Sequence, residues 1–490
     1  LVERGQSWQG SKTQAYWLVV RVLLTPPAEA AASQKWKIIY LQILSVLNRR
    51  RPMKKRKPMV ITDNQFLKVL FVAFIILSAS LSQGQEWTRY RGPNGQGISQ
   101  AKTIPVKWTE KDYNWKVSLP GGGHSSPVLW ADKVFITSGD QKTDRGFLLT
   151  LRVSDGKILW QKQYSLTSFR PNPLNSYATA TPVVDADHVY ALWPTPKETI
   201  LVALDHDGRE IWQRTFGGVH CQHGAGGSPI VFDDIVVFTH EHEDSSKSNT
   251  PPNRRDARSV WIAVDRKTGR TRWELERQTS PKTSYSTPCV YSPPTGERQM
   301  IFTSRAHGIT SVNPRTGTIL WEAESVFPAR VVSSPVIAAG LLIGSCGDGS
   351  SGKCLVAVNP GKTDKSTQPT EAYTIGSSTA PYVPTSLAKA GLLFTFHDRG
   401  YVSCLRSATG EQLWREKPAG TFFGSPVWVN GKLYCITTKG EVVVIKAAPT
   451  YELLAVNPLG EKSHATPAVA DGRMYLRTFS HLISIGPKKE

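Results

Sequence analysis

The phrase "RTGTILW", Arg315 to Trp321, is the feature that most restricts the fold, because relatives of it return along the chain in a fixed order. A glycine followed four residues later by a tryptophan occurs at Gly156/Trp160, Gly208/Trp212, Gly269/Trp273, Gly317/Trp321 and Gly410/Trp414. Each pair follows a short alternating apolar run, such as "ILVALDHD" or "VWIAVDRKT". A second phrase, Ser or Thr then Pro then strand-forming residues, precedes those runs at Ser126, Thr181, Ser228, Thr287, Ser334, Ser425 and Thr466, with Ala380-Pro381 filling the one gap. That makes eight copies at intervals of about 40–60 residues, a period that signals a propeller or a solenoid.

Each unit divides into four strands. In the fourth, strand A starts at Pro288, strand B covers residues 299–303, strand C covers 308–312, and strand D follows the turn at Thr316-Gly317 and ends at Trp321. Apolar residues alternate at period two, the signature of strands with one face toward a neighbour. The fold expected is all-β: an eight-bladed β-propeller of four-stranded antiparallel blades. The eighth unit, from His464, runs out after strand C. Asn114-Trp115-Lys116, just before the first Ser-Pro, is expected to supply the missing strand, so that an N-terminal strand completes the last blade and removes the open edge. Trp115, Trp160, Trp212, Trp273, Trp321 and Trp414 are then structural, each packing against the next blade.

Ala263-Val264-Asp265 leading to Thr268-Gly269 and Trp273 closely matches the ending of the pyrroloquinoline-quinone (PQQ) type of propeller repeat, and the repeats resemble that family. "WTRYRGPNG" (87–95) and "PGGGHSSP" (120–127) resemble a secreted bacterial branch of it, and the resemblance covers roughly residues 86–486. More distantly the chain is similar to the propeller subunit of the outer-membrane β-barrel assembly machinery and to quinoprotein alcohol dehydrogenases. The superfamily mixes quinone dehydrogenases with non-enzymatic scaffolds. A dehydrogenase would imply PQQ with calcium, held by carboxylate and amide ligands, beside a vicinal cysteine pair. This sequence has no Cys-Cys pair, and its inferred channel-mouth ring carries no carboxylate. The expectation is therefore an exported, non-enzymatic binding or scaffolding propeller of the cell envelope that needs no cofactor. The alternative is a PQQ/calcium-dependent dehydrogenase oxidising alcohols or sugars.

The net charge of +20 invites a nucleic-acid reading, but half of it falls in residues 1–84 and the rest is scattered without basic runs interleaved with aromatics. A solvated, mildly basic surface is expected, with no nucleic-acid site. Met53 opens a basic run to Lys57, residues 69–77 are unbrokenly apolar, and Ser82 and Gly84 offer small side chains for cleavage. Residues 53–84 thus read as a signal peptide, with an uncleaved anchor as the alternative, although the apolar run is short for a membrane span. Residues 1–52 read as upstream translated sequence, 85–113 as an N-terminal extension and 114–487 as the propeller. The expected location is periplasmic or secreted, as a monomer with no membrane span once the signal is removed. Export permits disulfides. Of six cysteines, Cys346 and Cys354 bracket a loop between two strand-like runs and form the candidate pair.

Propeller topology sorts the loops. The A–B and C–D turns, on one face, are mostly tight, with insertions at 292–298 and 385–391 as exceptions. Longer connections at 165–177, 216–227, 242–258 and 347–353 fall on the D–A/B–C face, where sites usually sit. The residue two before each Ser/Thr-Pro should point near the channel, which selects His124, Tyr285, Phe423 and His464, with Tyr177, His223 and Arg330 close by. Blades one and eight are neighbours, so His124 and His464 are expected to face each other. These residues suit an envelope protein, a peptide or a small molecule. The competing reading is that they only bond backbone at the strand starts. His220, His223, His240 and His242 with Glu241 and Glu243 resemble metal ligands. Along a strand, however, the histidines at 240 and 242 share one face and the glutamates the other, so no metal is expected.

Overall fold

The structure, a computed structural model, describes residues 87–488 apart from 245–257, 350, 365 and 377. The upstream segment 1–52, the signal peptide 53–84 and most of the connection 242–258 lie outside the described residues.

The repeats fold as eight antiparallel blades around a central channel. From the axis outward, strands A to D of blade one are Val128–Trp130, Lys133–Asp140, Arg145–Arg152 and Ile158–Ser165. Strands B and C are sandwiched between neighbouring blades and are buried almost throughout, whereas strand D meets solvent and alternates. Strand D of blade eight is Tyr113–Ser118, which pairs antiparallel with His481–Ile485 and sets Trp115 opposite Ser484. The N-terminal strand therefore closes the ring as the sequence predicts. Among the described residues the only helical turns are Pro93–Gly95 and Glu110–Asp112.

The Ser/Thr phrase builds a second closure at the axis. The Ser126 N–H donates to Thr181 Oγ1 (2.9 Å), Thr181 to Ser228 Oγ (3.0 Å), Ser228 to Thr287 Oγ1 (3.1 Å) and Thr287 to Ser334 Oγ (3.1 Å). The series continues from Ser334 to Thr385 Oγ1 (2.9 Å), Thr385 to Ser425 Oγ (3.0 Å), Ser425 to Thr466 Oγ1 (2.9 Å) and Thr466 back to Ser126 Oγ (3.1 Å). The sixth member is thus Thr385-Ser386, and Ala380-Pro381 is not a copy of the phrase. With strand A of blade six at Leu387–Lys389, its A–B turn at Ala390-Gly391 is tight, so the expected insertion at 385–391 is instead the strand start.

The glycine and tryptophan of one phrase serve different interfaces. A Cβ on Gly156, Gly208, Gly269 or Gly317 would lie 2.7–2.8 Å from Trp115, Trp160, Trp212 or Trp273, the tryptophan of the preceding blade in each case. The indole N–H groups of those four bond carbonyls of the next blade's C–D turn: Val153, His206, Arg266 and Pro314. Trp321 lies against Gly361 of blade five but donates to Gln299 Oε1 within its own blade. Tyr373 replaces the tryptophan in blade five and packs on Gly410, and Ala455 holds the position in blade seven. Every strand D carries a bulge immediately before this position, as at Leu320 between Ile319 and Trp321.

The N-terminal extension fills the channel rather than hanging from the body. Trp87 and Thr88 carbonyls accept from Leu129 and Val184 N–H of blades one and two. Arg89 donates to the Pro288 carbonyl of blade four and Arg91 to the Ser386 carbonyl of blade six (2.9 Å). Asn94 exchanges bonds with the Val290 backbone, and Ile98–Ser99 joins Val427–Val429 as a parallel fifth strand of blade seven. Ile104 and Trp108 then join the apolar cluster around Ala455, in blade seven, whose strand D has alanine at the tryptophan position. Cys346 and Cys354 face each other across strands B and C of blade five, as thiols with sulfurs 3.1 Å apart.

Candidate functional site

A cavity of about 520 Å³ opens on the D–A/B–C face of the channel. Its floor is Tyr90, at the apex of the N-terminal segment, together with the ring residues Ser126, Thr181, Ser228, Thr287, Ser334 and Thr466. The Tyr90 hydroxyl bonds Ser425 Oγ (3.0 Å), which fixes the segment to the ring.

The walls divide by chemistry. Blades seven, eight and one supply a neutral aromatic side. His124 and His464 stack with centroids 4.4 Å apart, and Phe423 lies 4.7 Å from His464. Burial, helped by the neighbouring His464 and Arg477, holds the His124 pKa far below the ordinary imidazole value. Burial and Lys462 lower His464 to about 4, so both rings are neutral at pH 7. Blades three to six supply a charged side. Arg330, 1% exposed, pairs with Glu243 (2.9 Å) and donates to Gln222 Oε1 (3.1 Å) and Tyr382 Oη (3.3 Å). Lys353 pairs with Asp398, which also accepts from the Tyr382 N–H (3.2 Å). Burial raises the Tyr285 hydroxyl well above its usual range.

Of the residues selected from the sequence, His124, His223, Tyr285, Arg330, Phe423 and His464 line this cavity. Tyr177 does not. Its hydroxyl lies 2.8 Å from both Asp144 Oδ1 and the Phe169 carbonyl, and its ring stacks on Phe169, so it anchors the loop 165–177 from behind. Backbone bonding, the competing reading, applies in part, since His464 bonds the Leu174 backbone while the Ser/Thr ring links the strand starts. The ring of residues two before each Ser/Thr carries no carboxylate, but Asp348 and Asp398 reach the wall from the B–C turns of blades five and six. Tyr90, Lys282 and Tyr382 also line it and carry no repeat signal, although reading Thr385-Ser386 as the sixth copy would have selected Val383, which lines the cavity beside Tyr382.

The histidine-rich segment behaves as strand alternation dictates. His240 Nε2 bonds the Gly217 carbonyl (2.8 Å) and His242 packs edge-on to His240. Glu241 accepts from Trp261 Nε1 (2.8 Å) and from Ser284 N–H (3.3 Å), while Glu243 turns to Arg330. Among the described residues no group of three or more His, Cys, Asp or Glu side chains is placed to hold a metal ion.

A family model described as "Outer membrane protein assembly factor BamB" matches residues 103–242, 178–395 and 398–485. No curated protein matches the chain. The structure is similar to BamB from Moraxella catarrhalis, at 13% identity and TM-score 0.50 over 77% of this chain and 99% of that one. It is similar to a europium-containing methanol dehydrogenase at 12% identity and TM-score 0.56, over 80% of this chain and 89% of that one. The quinohemoprotein alcohol dehydrogenase of Comamonas testosteroni aligns at 12% identity and TM-score 0.55, over 85% and 82%. At these identities the likeness is one of fold. Among the described residues no helix is long and apolar enough to cross a membrane.

Proposed function

The chain belongs to the PQQ-type propeller family that the matched model describes as outer membrane protein assembly factor BamB, and we propose that within it this protein is an exported, non-enzymatic binding or scaffolding propeller of the cell envelope. Its ligand or partner docks at the cavity on the D–A/B–C face. The observation that carries this reading is the blind funnel: the N-terminal segment fills the channel from the opposite side, so that a concave, half-aromatic and half-charged cavity is left with one mouth. Its two halves suit an amphipathic small molecule or a peptide side chain presented by an envelope protein.

PQQ with calcium fits the residues poorly. Calcium asks for several oxygen ligands converging on one point. Here Asp398 is committed to Lys353 and Glu243 to Arg330, which leaves Asp348 as a single carboxylate on the wall, and the sequence holds no vicinal cysteine pair. We therefore derive no redox step and propose that the protein works without a cofactor.

The test is native mass spectrometry of the exported form after incubation with envelope extract. A species retained by the parent and absent from a His124→Ala/His464→Ala variant of unchanged melting temperature is the expected result. Equal retention by both would place the site elsewhere. Sustained dye reduction with alcohols or sugars after addition of PQQ and Ca²⁺ would overturn the non-enzymatic reading.

A further inference from the structure

Three buried guanidinium groups surround the cavity floor, and none is bonded to a carboxylate among the described residues. Arg91 and Arg477 are 0% exposed and Arg89 7%. Arg89 donates to the carbonyl of Pro288, the residue after ring member Thr287, and Arg91 to that of Ser386, the residue after ring member Thr385. Arg477 donates to the carbonyls of Ser125, next to ring member Ser126, and of Thr137. Burial lowers all three, to about 10 for Arg89 and Arg91 and about 9 for Arg477, yet each stays charged at neutral pH. Carbonyl dipoles solvate such charges without cancelling them, and away from water their field reaches far. The other arginines near the site differ: Arg330 is neutralised by Glu243, and Arg277 by Glu322. Of the rim carboxylates, Asp398 is neutralised by Lys353. Asp348 and Lys282, of opposite sign, also face the cavity from its wall, and Glu461 lies near Arg477, so the floor carries a positive excess of its own.

The hydroxyl ring lies beside this charge, since each of the three arginines bonds a carbonyl one residue from a ring member. Each ring oxygen accepts one backbone N–H from the preceding blade, which leaves its own proton to be donated. Among the described residues only Ser425 has a further side-chain partner, Tyr90. Six of the eight ring residues line the cavity, whereas Thr385 and Ser425 do not. The floor thus combines a circle of O–H donors with buried positive charge, and no carboxylate sits among them.

We propose that the cavity binds the oxyanion head of an organic acid, a carboxylate, sulfonate or phosphate group, seated on the hydroxyl ring. The body of the ligand lies against Phe423 and the stacked His124 and His464. This rests on the cavity being the binding site and names the chemistry it selects.

The experiment titrates the exported form with 2-naphthoate, 2-naphthalenemethanol and 2-naphthylmethylammonium by calorimetry, one aromatic body with three head groups. Naphthoate is expected to bind at least about tenfold more tightly than the other two, as charge-assisted hydrogen bonds require. Thr287→Val removes a hydroxyl that lines the cavity and should weaken naphthoate by about tenfold. Thr385→Val breaks the same kind of ring bond outside the cavity and should leave its affinity within about twofold, at a matched loss of melting temperature. Equal weakening by both variants would mean that the ring acts only through stability, and the proposal falls. If the alcohol or the ammonium binds best and His464→Ala abolishes that binding, the cavity stands as a site but the oxyanion head does not. If none of the three binds, the oxyanion proposal falls, and the docking reading is decided separately by the envelope-extract experiment.

Discussion

Glu241 shows how much a single side chain here depends on its surroundings. It sits just past strand B of blade three (Ile235–His240), bonded to Trp261 Nε1 and the Ser284 N–H, and burial pushes its pKa up to about 7. A carboxyl raised in this way binds its proton more tightly folded than unfolded. Its stabilising effect is complete below the unfolded pKa near 4.5 and is lost as pH rises through about 7. Glu241→Gln should therefore lose that pH dependence and be about 1–3 kcal/mol more stable than the parent at pH 8.5, with no gain at pH 4.5. Urea unfolding of both proteins across this range measures the difference curve, and a flat one would refute the assignment. His124 and His464 run the other way, since depressed imidazoles add stability above about 6.5 that is lost as pH falls. Their pairing was legible in the sequence, because a closed ring must set blade eight beside blade one. Asp348 and Tyr90 were not, since a B–C turn and a non-repeating extension carry no period from which to place a side chain.

The recurring glycine and tryptophan are construction at the level of the blade, and their partnership crosses from one repeat to the next. Gly317 has φ 73°, and a Cβ there would stand 2.8 Å from Trp273 of the preceding blade. Gly317→Ala should destabilise by about 1–3 kcal/mol through overpacking and backbone strain together. In a Trp273→Ala background the overpacking is relieved, and the loss should fall to about 1 kcal/mol or less. Combined with Trp321→Ala, the tryptophan of its own phrase, the loss should be additive, because that ring lies at the other interface of the blade. Denaturant midpoints of the two cycles decide between partnership across blades and partnership within one. The pattern of glycine, tryptophan and alternation was enough to find these strands. It did not show the bulge before each of these positions, because Asn114, Arg272, Leu320 and Ala372 share no side-chain chemistry that would mark it.

Across the whole molecule the repeat accounts for the ring, and the residues outside the repeat account for what fills it. Number of blades, closure by the N-terminal strand and the face bearing the cavity all follow from periodicity. The channel filling does not, because Trp87 to Ser99 matches no repeat and its arginines pair with main-chain carbonyls rather than with readable partners. Deleting residues 85–99 should remove these contacts with blades one, two, four, six and seven and lower the melting temperature by at least about 5 °C. Differential scanning fluorimetry reads this directly, and an unchanged midpoint would show that the segment is dispensable. The same segment has a consequence for the order of folding. Thr88 bonds Val184, Arg91 bonds Ser386, Gly97 bonds Trp428 and Lys116 pairs with Ile483, so residues made early must wait for almost the entire chain before their partners exist. Contacts of such sequence separation make for slow folding. The blades can form one after another as they are synthesised, but the axle and the clasp can be set only when the last blade arrives. Until then the molecule is an open arc with an exposed seam, which is the interval in which it would most need a chaperone.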